Sequence, residues 1–162
     1  FCLSRGLGDV YKRQVLGQAR DLEKLRGEVS EMRAKMRDNL GTKATAAGTA
    51  ANAFDAGVPF DIKQDAGGIV DIEFMVQYAA LAWSHDHPAI LRWTDNIRIL
   101  EELEQANLMP ASDAVLLREV YKAFRSASHR QALQKQAGVI DAAQFADERR
   151  EVRRIWGELG LT

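Results

Sequence analysis

Residues 60–78 read Phe60-Asp61-Ile62-Lys63-Gln64-Asp65-Ala66-Gly67-Gly68-Ile69-Val70-Asp71-Ile72-Glu73-Phe74-Met75-Val76-Gln77-Tyr78, and this stretch decides how the chain folds. Its opening, Phe60 to Lys63, alternates apolar and charged residues as a short edge strand does. Gly67-Gly68 ends that pattern and opens a helix running from Ile69 to about Ser84. Ile69, Val70, Ile72, Phe74, Met75, Val76, Tyr78, Leu81 and Trp83 make this helix apolar on nearly all sides, which predicts the most buried helix of the molecule. No sibling strand is found in the chain. A lone strand cannot satisfy its backbone groups, so the strand near residues 60–63 is expected to be an orphan whose sheet belongs to other polypeptide.

Helical periodicity extends on both sides of this stretch. Upstream, Leu22, Leu25, Val29, Met32, Met36 and Leu40 form an apolar stripe, with Glu23, Lys24, Arg26, Glu28, Glu31, Arg33 and Lys35 on the other face and Gly41 as a stop. Glu31 and Lys35 have the spacing of a helical ion pair. Downstream, a helix capped by Thr94 or Asp95 runs through Ile97, Leu100 and Leu103 to about Ala106. Pro110 and Ser112 set up the next, with a core side of Leu116, Leu117, Val120, Phe124 and Leu133 and an end at Gly138. A capping-box pattern at Asp141 and Gln144 predicts the start of the last, whose stripe is Phe145, Val152, Ile155, Trp156 and Leu159. Short loops between helices make antiparallel neighbours, so the fold class is mainly all-α, an antiparallel helical bundle with one short strand.

The totals exclude several classes. The 162 residues carry a net charge of −1, with 46% hydrophobic and 28% charged residues, which suits one globular domain. No basic excess points to nucleic acid, and no apolar run approaches the ~20 residues that span a bilayer. The one cysteine, Cys2, excludes an internal disulfide and fits a reducing, cytoplasmic setting.

Few residues suggest chemistry. Asp71 and Glu73 are two carboxylates two positions apart. On a strand they could share a metal, but on a helix they point about 200° apart and cannot chelate one ion. Each is expected either to pair with an arginine or a helix end, or to serve a site at the helix start. Gly67 and Gly68 could let backbone amides approach an anion, with Lys63 adding positive charge. Arg118, Lys122, Arg125 and His129 recur along one side of a helix, as a partner surface or as a solvated face. His85 and His87 flank Asp86 without further ligands, and no metal cluster or nucleophilic triad is found.

The run from Phe60 to Tyr78 resembles a segment of the glutamine synthetase adenylyltransferases. So do Arg92-Trp93-Thr94-Asp95-Asn96-Ile97-Arg98-Ile99-Leu100, the positions Arg125, His129-Arg130 and Leu133-Gln134, and the stretch Glu28 to Arg37. The related PII uridylyltransferases share a shorter Lys…Gly-Gly…Asp-Ile pattern, but residues 92–98 resemble the adenylyltransferases instead. The resemblance implies a piece of a multifunctional, ATP- and Mg²⁺-dependent nucleotidyltransferase that moves AMP onto a tyrosine of glutamine synthetase and can remove it by phosphorolysis, under control of a PII-type signal protein. It also implies that Lys63, Gly67, Gly68, Asp71 and Glu73 line the edge of the nucleotide site or brace a domain junction. A helical module that docks a protein partner through Arg118 to His129 is the reading from another class.

Members of that family hold Mg²⁺ through a Gly-Ser pair followed by Asp-x-Asp, and neither motif occurs in this sequence. The expectation is therefore a segment with no catalytic or metal-ligating residue of its own, inactive alone and lacking its nucleotidyltransferase domain. Residues 1–14 resemble translated sequencing adapter and are expected to be disordered. Residues 15–41 are read as a helix from the end of the nucleotidyltransferase domain, 42–59 as a flexible linker, and 60–162 as the helical domain that follows.

Overall fold

A computed structural model describes residues 10–42 and 54–162, so residues 1–9, including Cys2, and 43–53 of the expected linker lie outside the described residues. Five principal helices are described: α1 (Leu22–Leu40), α2 (Ile69–Trp83), α3 (Asn96–Gln105), α4 (Ala111–Leu133) and α5 (Ala146–Glu158), with a 3₁₀ helix at Pro88–Arg92. A two-stranded sheet pairs β1 (Pro59–Asp61) with β2 (Val139–Asp141). Residues 10–16 add a short helix, so the disorder expected for residues 1–14 does not extend over 10–14. Lys12 Nζ there donates to the carbonyls of Leu91 and Trp93. The mainly α architecture agrees with the hydrophobic periodicity.

Helix α2 is the centre of the molecule, as its near-continuous apolar sequence predicts. Helices α1, α3, α4 and α5 all pack on it. Ile72, Met75 and Ala79 are fully buried, together with Leu100 and Leu103 of α3, Leu117 and Phe124 of α4, and Val152 of α5. The Asp95 carboxylate caps α3 by accepting from the Arg98 amide at 3.0 Å, the bond its sequence position implies.

Four expectations differ from the structure. The strand is not an orphan. Phe60 lies opposite Ile140 in an antiparallel pair that continues through Ile62 N–H to the Gly138 carbonyl and Ala142 N–H to the Val58 carbonyl. The partner strand lies where the sequence suggests a helix start, so the capping box at Asp141 and Gln144 does not form. Asp141 instead accepts from the amides of Gly57 and Ala143, and α5 begins five residues later behind Phe145, whose φ is +66°. Helix α4 also stops at Leu133, and that side chain is 71% exposed rather than in the core.

The fourth concerns α1. Met32 and Leu40 of its apolar stripe are exposed, whereas Arg33, from the charged face, is completely buried. A side chain that long and charged enters a core only when its donors are satisfied there, and the partner is on α2. Helix α1 thus packs into the same core as the residues after Pro59.

Candidate functional site

The residues singled out by sequence divide into two groups in space. Gly67, Gly68 and Asp71 are buried in the corner between β1 and α2, whereas Lys63, Glu73, Arg125 and His129 come together around an open cleft beside it.

The corner is tied internally by side-chain and backbone hydrogen bonds. Asp61 folds the chain after β1 by accepting from the amides of Lys63 and Gln64 at 2.8 and 3.0 Å, an Asx turn. Asp65, with no solvent exposure, accepts from the Asp61 amide at 2.7 Å and from the amide and hydroxyl of Thr42, each at 2.8 Å. It thereby fastens the end of α1 to the turn. The start of α2 is closed in the same way. The amides of Gly68, Ile69 and Val70 donate to the carbonyls of Asp65, Ile62 and Lys63, and the Gly67 amide donates to Asp71 Oδ2 at 2.6 Å. These amides are therefore committed to the chain's own oxygens and are not offered to an anion.

The two glycines answer to packing. Gly67 has φ +83°, and a Cβ there would meet the Arg149 carbonyl at 2.9 Å. A Cβ on Gly68 would meet the Ile62 carbonyl at 2.6 Å. Backbone approaches this close admit only glycine.

Asp71 is paired both with an arginine and with a helix end, the two arrangements its sequence setting suggests. Arg33 Nε reaches its Oδ1 at 2.5 Å, and Arg33 Nη2 donates to the Gln64 carbonyl at 2.7 Å. Arg149 closes the other side of the corner. Its guanidinium lies 3.7 Å from the Phe60 ring centre and donates to the Ala142 carbonyl at 3.3 Å. Burial pulls the Arg149 guanidinium down to about 10, against the opposing pull of the Asp65 carboxylate.

Sequence reasoning missed Arg33, Asp65 and Arg149. A signal exists for two of them. Arg33 lies four residues after Val29 and three before Met36, and Arg149 lies four after Phe145 and three before Val152, so both occupy core-facing positions of a helical repeat. Asp65 leaves no periodic trace, because its role depends on a loop packing against α1.

The cleft has a volume of about 400 Å³ and is lined by Lys63, Ile69, Val70, Glu73 and the α4 residues Arg125, Ser128, His129 and Ala132. Glu73 Oε1 accepts from the Tyr121 hydroxyl at 3.0 Å, and that hydroxyl accepts from Asn96 Nδ2 at 2.9 Å and from Arg125 Nη1 at 3.4 Å. The bond to Tyr121, reinforced more weakly by Glu73, raises Arg125 above its ordinary value.

The stripe Arg118, Lys122, Arg125, His129 does not act as a unit. Arg118 is paired with Glu104 at 2.8 Å and Lys122 with Glu119 at 2.9 Å, leaving Arg125 and His129 to face the cleft. Among the described residues no three His, Cys, Asp or Glu side chains are grouped as a metal site, so no metal fits this arrangement and no step is assigned to one. Among the described residues, too, no helix is long and apolar enough to cross a membrane.

A sequence model for the GlnD PII-uridylyltransferase family matches residues 30–158, which takes in α1 from its middle, the braced corner, the cleft and all of α5. The chain belongs to that family. Within it, the similar curated proteins carry the adenylyltransferase name. The bifunctional glutamine synthetase adenylyltransferase/adenylyl-removing enzyme of Pseudomonas putida is 98% identical over 149 residues, covering 92% of this chain and 15% of that protein. The enzyme of the same name from Pseudomonas syringae pv. tomato is 70% identical over 162 residues, covering 98% and 16%. That from Thioalkalivibrio sulfidiphilus is 44% identical over 154 residues, covering 95% and 14%. The chain thus corresponds to one segment of a glutamine synthetase adenylyltransferase sequence and spans about 15% of the length of these relatives. This agrees with the adenylyltransferase reading of residues 60–78 and 92–98 over the uridylyltransferase alternative.

Proposed function

We propose that this chain is the helical part of an enzyme that transfers AMP from ATP to a tyrosine of glutamine synthetase, and that it buttresses a nucleotidyltransferase domain rather than carrying out the transfer. The observation that carries this reading is the construction of the β1–α2 corner. Four internal amide bonds, a buried Arg33–Asp71 pair and two glycines in close backbone contact make a rigid support, and among the described residues no three His, Cys, Asp or Glu side chains are grouped to hold a metal. Nucleotidyl transfer depends on neutralising charge on the phosphates, so the Mg²⁺ and its ligands are assigned to the Gly-Ser and Asp-x-Asp motifs of a nucleotidyltransferase domain.

Within that scheme Gly67, Gly68 and Asp71 brace the domain junction. Lys63 and Glu73 stand at its open edge with Arg125 and His129, the side from which a nucleotide would be approached. A cytoplasmic setting, removal of AMP by phosphorolysis, and control by a PII-type signal protein belong to the same proposal and rest on family likeness. Incubating the isolated chain with ATP, Mg²⁺ and glutamine synthetase should yield no AMP transfer. A full-length polypeptide containing the segment should be active and should lose activity when residues 60–162 are deleted. AMP transfer by the isolated chain, or undiminished transfer after the deletion, refutes the assignment.

A further inference from the structure

We propose that the cleft between α2 and α4 is a binding site for a phosphate group, held by Lys63, Arg125 and His129. The inference deepens the reading above, which sets these residues on the side a nucleotide approaches, and its failure would leave the buttressing role of the β1–α2 corner untouched.

The basic side chains of α4 are treated unequally. Arg118 and Lys122 each have a carboxylate within ion-pair distance. Arg125 and His129, one and two turns further on, have none among the described residues, nor does Lys63 across the cleft. Surface cations commonly go unpaired singly. Here two, Lys63 and Arg125, from separate elements converge with the His129 ring on one concave volume of about 400 Å³, large enough for a phosphate and its first waters.

The one carboxylate present, Glu73, is engaged by the Tyr121 hydroxyl, which also receives Arg125 Nη1. Tyr121 thus engages one Arg125 nitrogen, and the exposed guanidinium that lines the cleft has further donors suited to phosphate oxygens. Ser128 adds a hydroxyl to the lining. A carboxylate ligand would meet the same cations but offers fewer oxygens and less charge than phosphate.

The test is titration of the 162-residue chain with inorganic phosphate, followed by NMR of the Arg125 side-chain Nε–H and the His129 ring. Saturable shifts at both groups are expected, with affinity reduced about fivefold or more in Lys63→Gln and in Arg125→Gln and changed less than about twofold in Arg130→Gln, which lies outside the cleft. Both cleft variants alter exposed side chains, and retention of the α2 amide spectrum checks the fold. Parallel titrations with ATP and AMP identify the source. ATP binding about tenfold tighter than inorganic phosphate, lost in the same variants, points to a nucleotide, and equal affinity points to free phosphate. Shifts that do not saturate, binding unaffected by both cleft variants, or acetate binding as tightly as phosphate overturns the proposal.

Discussion

Replacing Arg33 with Met tests whether the α1–α2 contact is the brace described above. The substitution keeps most of the volume of a side chain with no solvent exposure and removes its two donors. The Asp71 carboxylate, only 4% exposed, then keeps the Gly67 amide but loses its counter-charge, and the Gln64 carbonyl loses a donor. Breaking a buried pair from one side costs about 3–5 kcal/mol, because the remaining charge stays desolvated. At about 2–4 °C per kcal/mol for a domain of this size, the melting temperature should fall by roughly 6–20 °C.

Equilibrium urea unfolding, followed by tryptophan fluorescence and far-ultraviolet circular dichroism together, measures the loss and checks that the transition is two-state. The double variant Arg33→Met, Asp71→Leu should recover about 2 kcal/mol or more, since no buried charge is then left alone. A single variant within about 1 kcal/mol of the parent refutes the argument. It would mean that Asp71 is hydrated and that α1 does not depend on the pair.

Gly67→Ala should cost about 2 kcal/mol or more, from a positive φ combined with the Arg149 carbonyl 2.9 Å from the new methyl, whereas Gly57→Ala, at a similar φ with open space, should cost only about 1 kcal/mol in the same denaturant assay. The bonds from the Gly57 and Ala143 amides hold the Asp141 carboxyl below its ordinary 3.8. A depressed carboxylate stabilises the fold above its unfolded value and loses that contribution as pH falls through the folded one. Asp141→Asn should accordingly flatten the dependence of the urea midpoint on pH below about 4, and an unchanged slope would contradict the turn geometry. Arg118→Gln breaks a partly buried pair with Glu104 and should cost about 1 kcal/mol, while Lys122→Gln breaks an exposed one and should stay within about 0.5 kcal/mol of the parent, both read by thermal unfolding.

The sequence by itself determined the helices, the central place of α2 and the break between the Phe60 strand and the Ile69 helix. Each of these follows from apolar spacing or from glycine, and such local signals survive without knowledge of the neighbours. Residues 60–78 and 92–98 also carried the family likeness. Only the tertiary structure decided that Phe60 pairs with Ile140, that Arg33 turns inward, and that Lys63, Glu73, Arg125 and His129 share one cleft. Those outcomes depend on residues about 40 to 80 positions apart meeting in space. Periodicity records which face of a helix is apolar, but not which distant carboxylate can hold a buried cation or which strand waits across the fold.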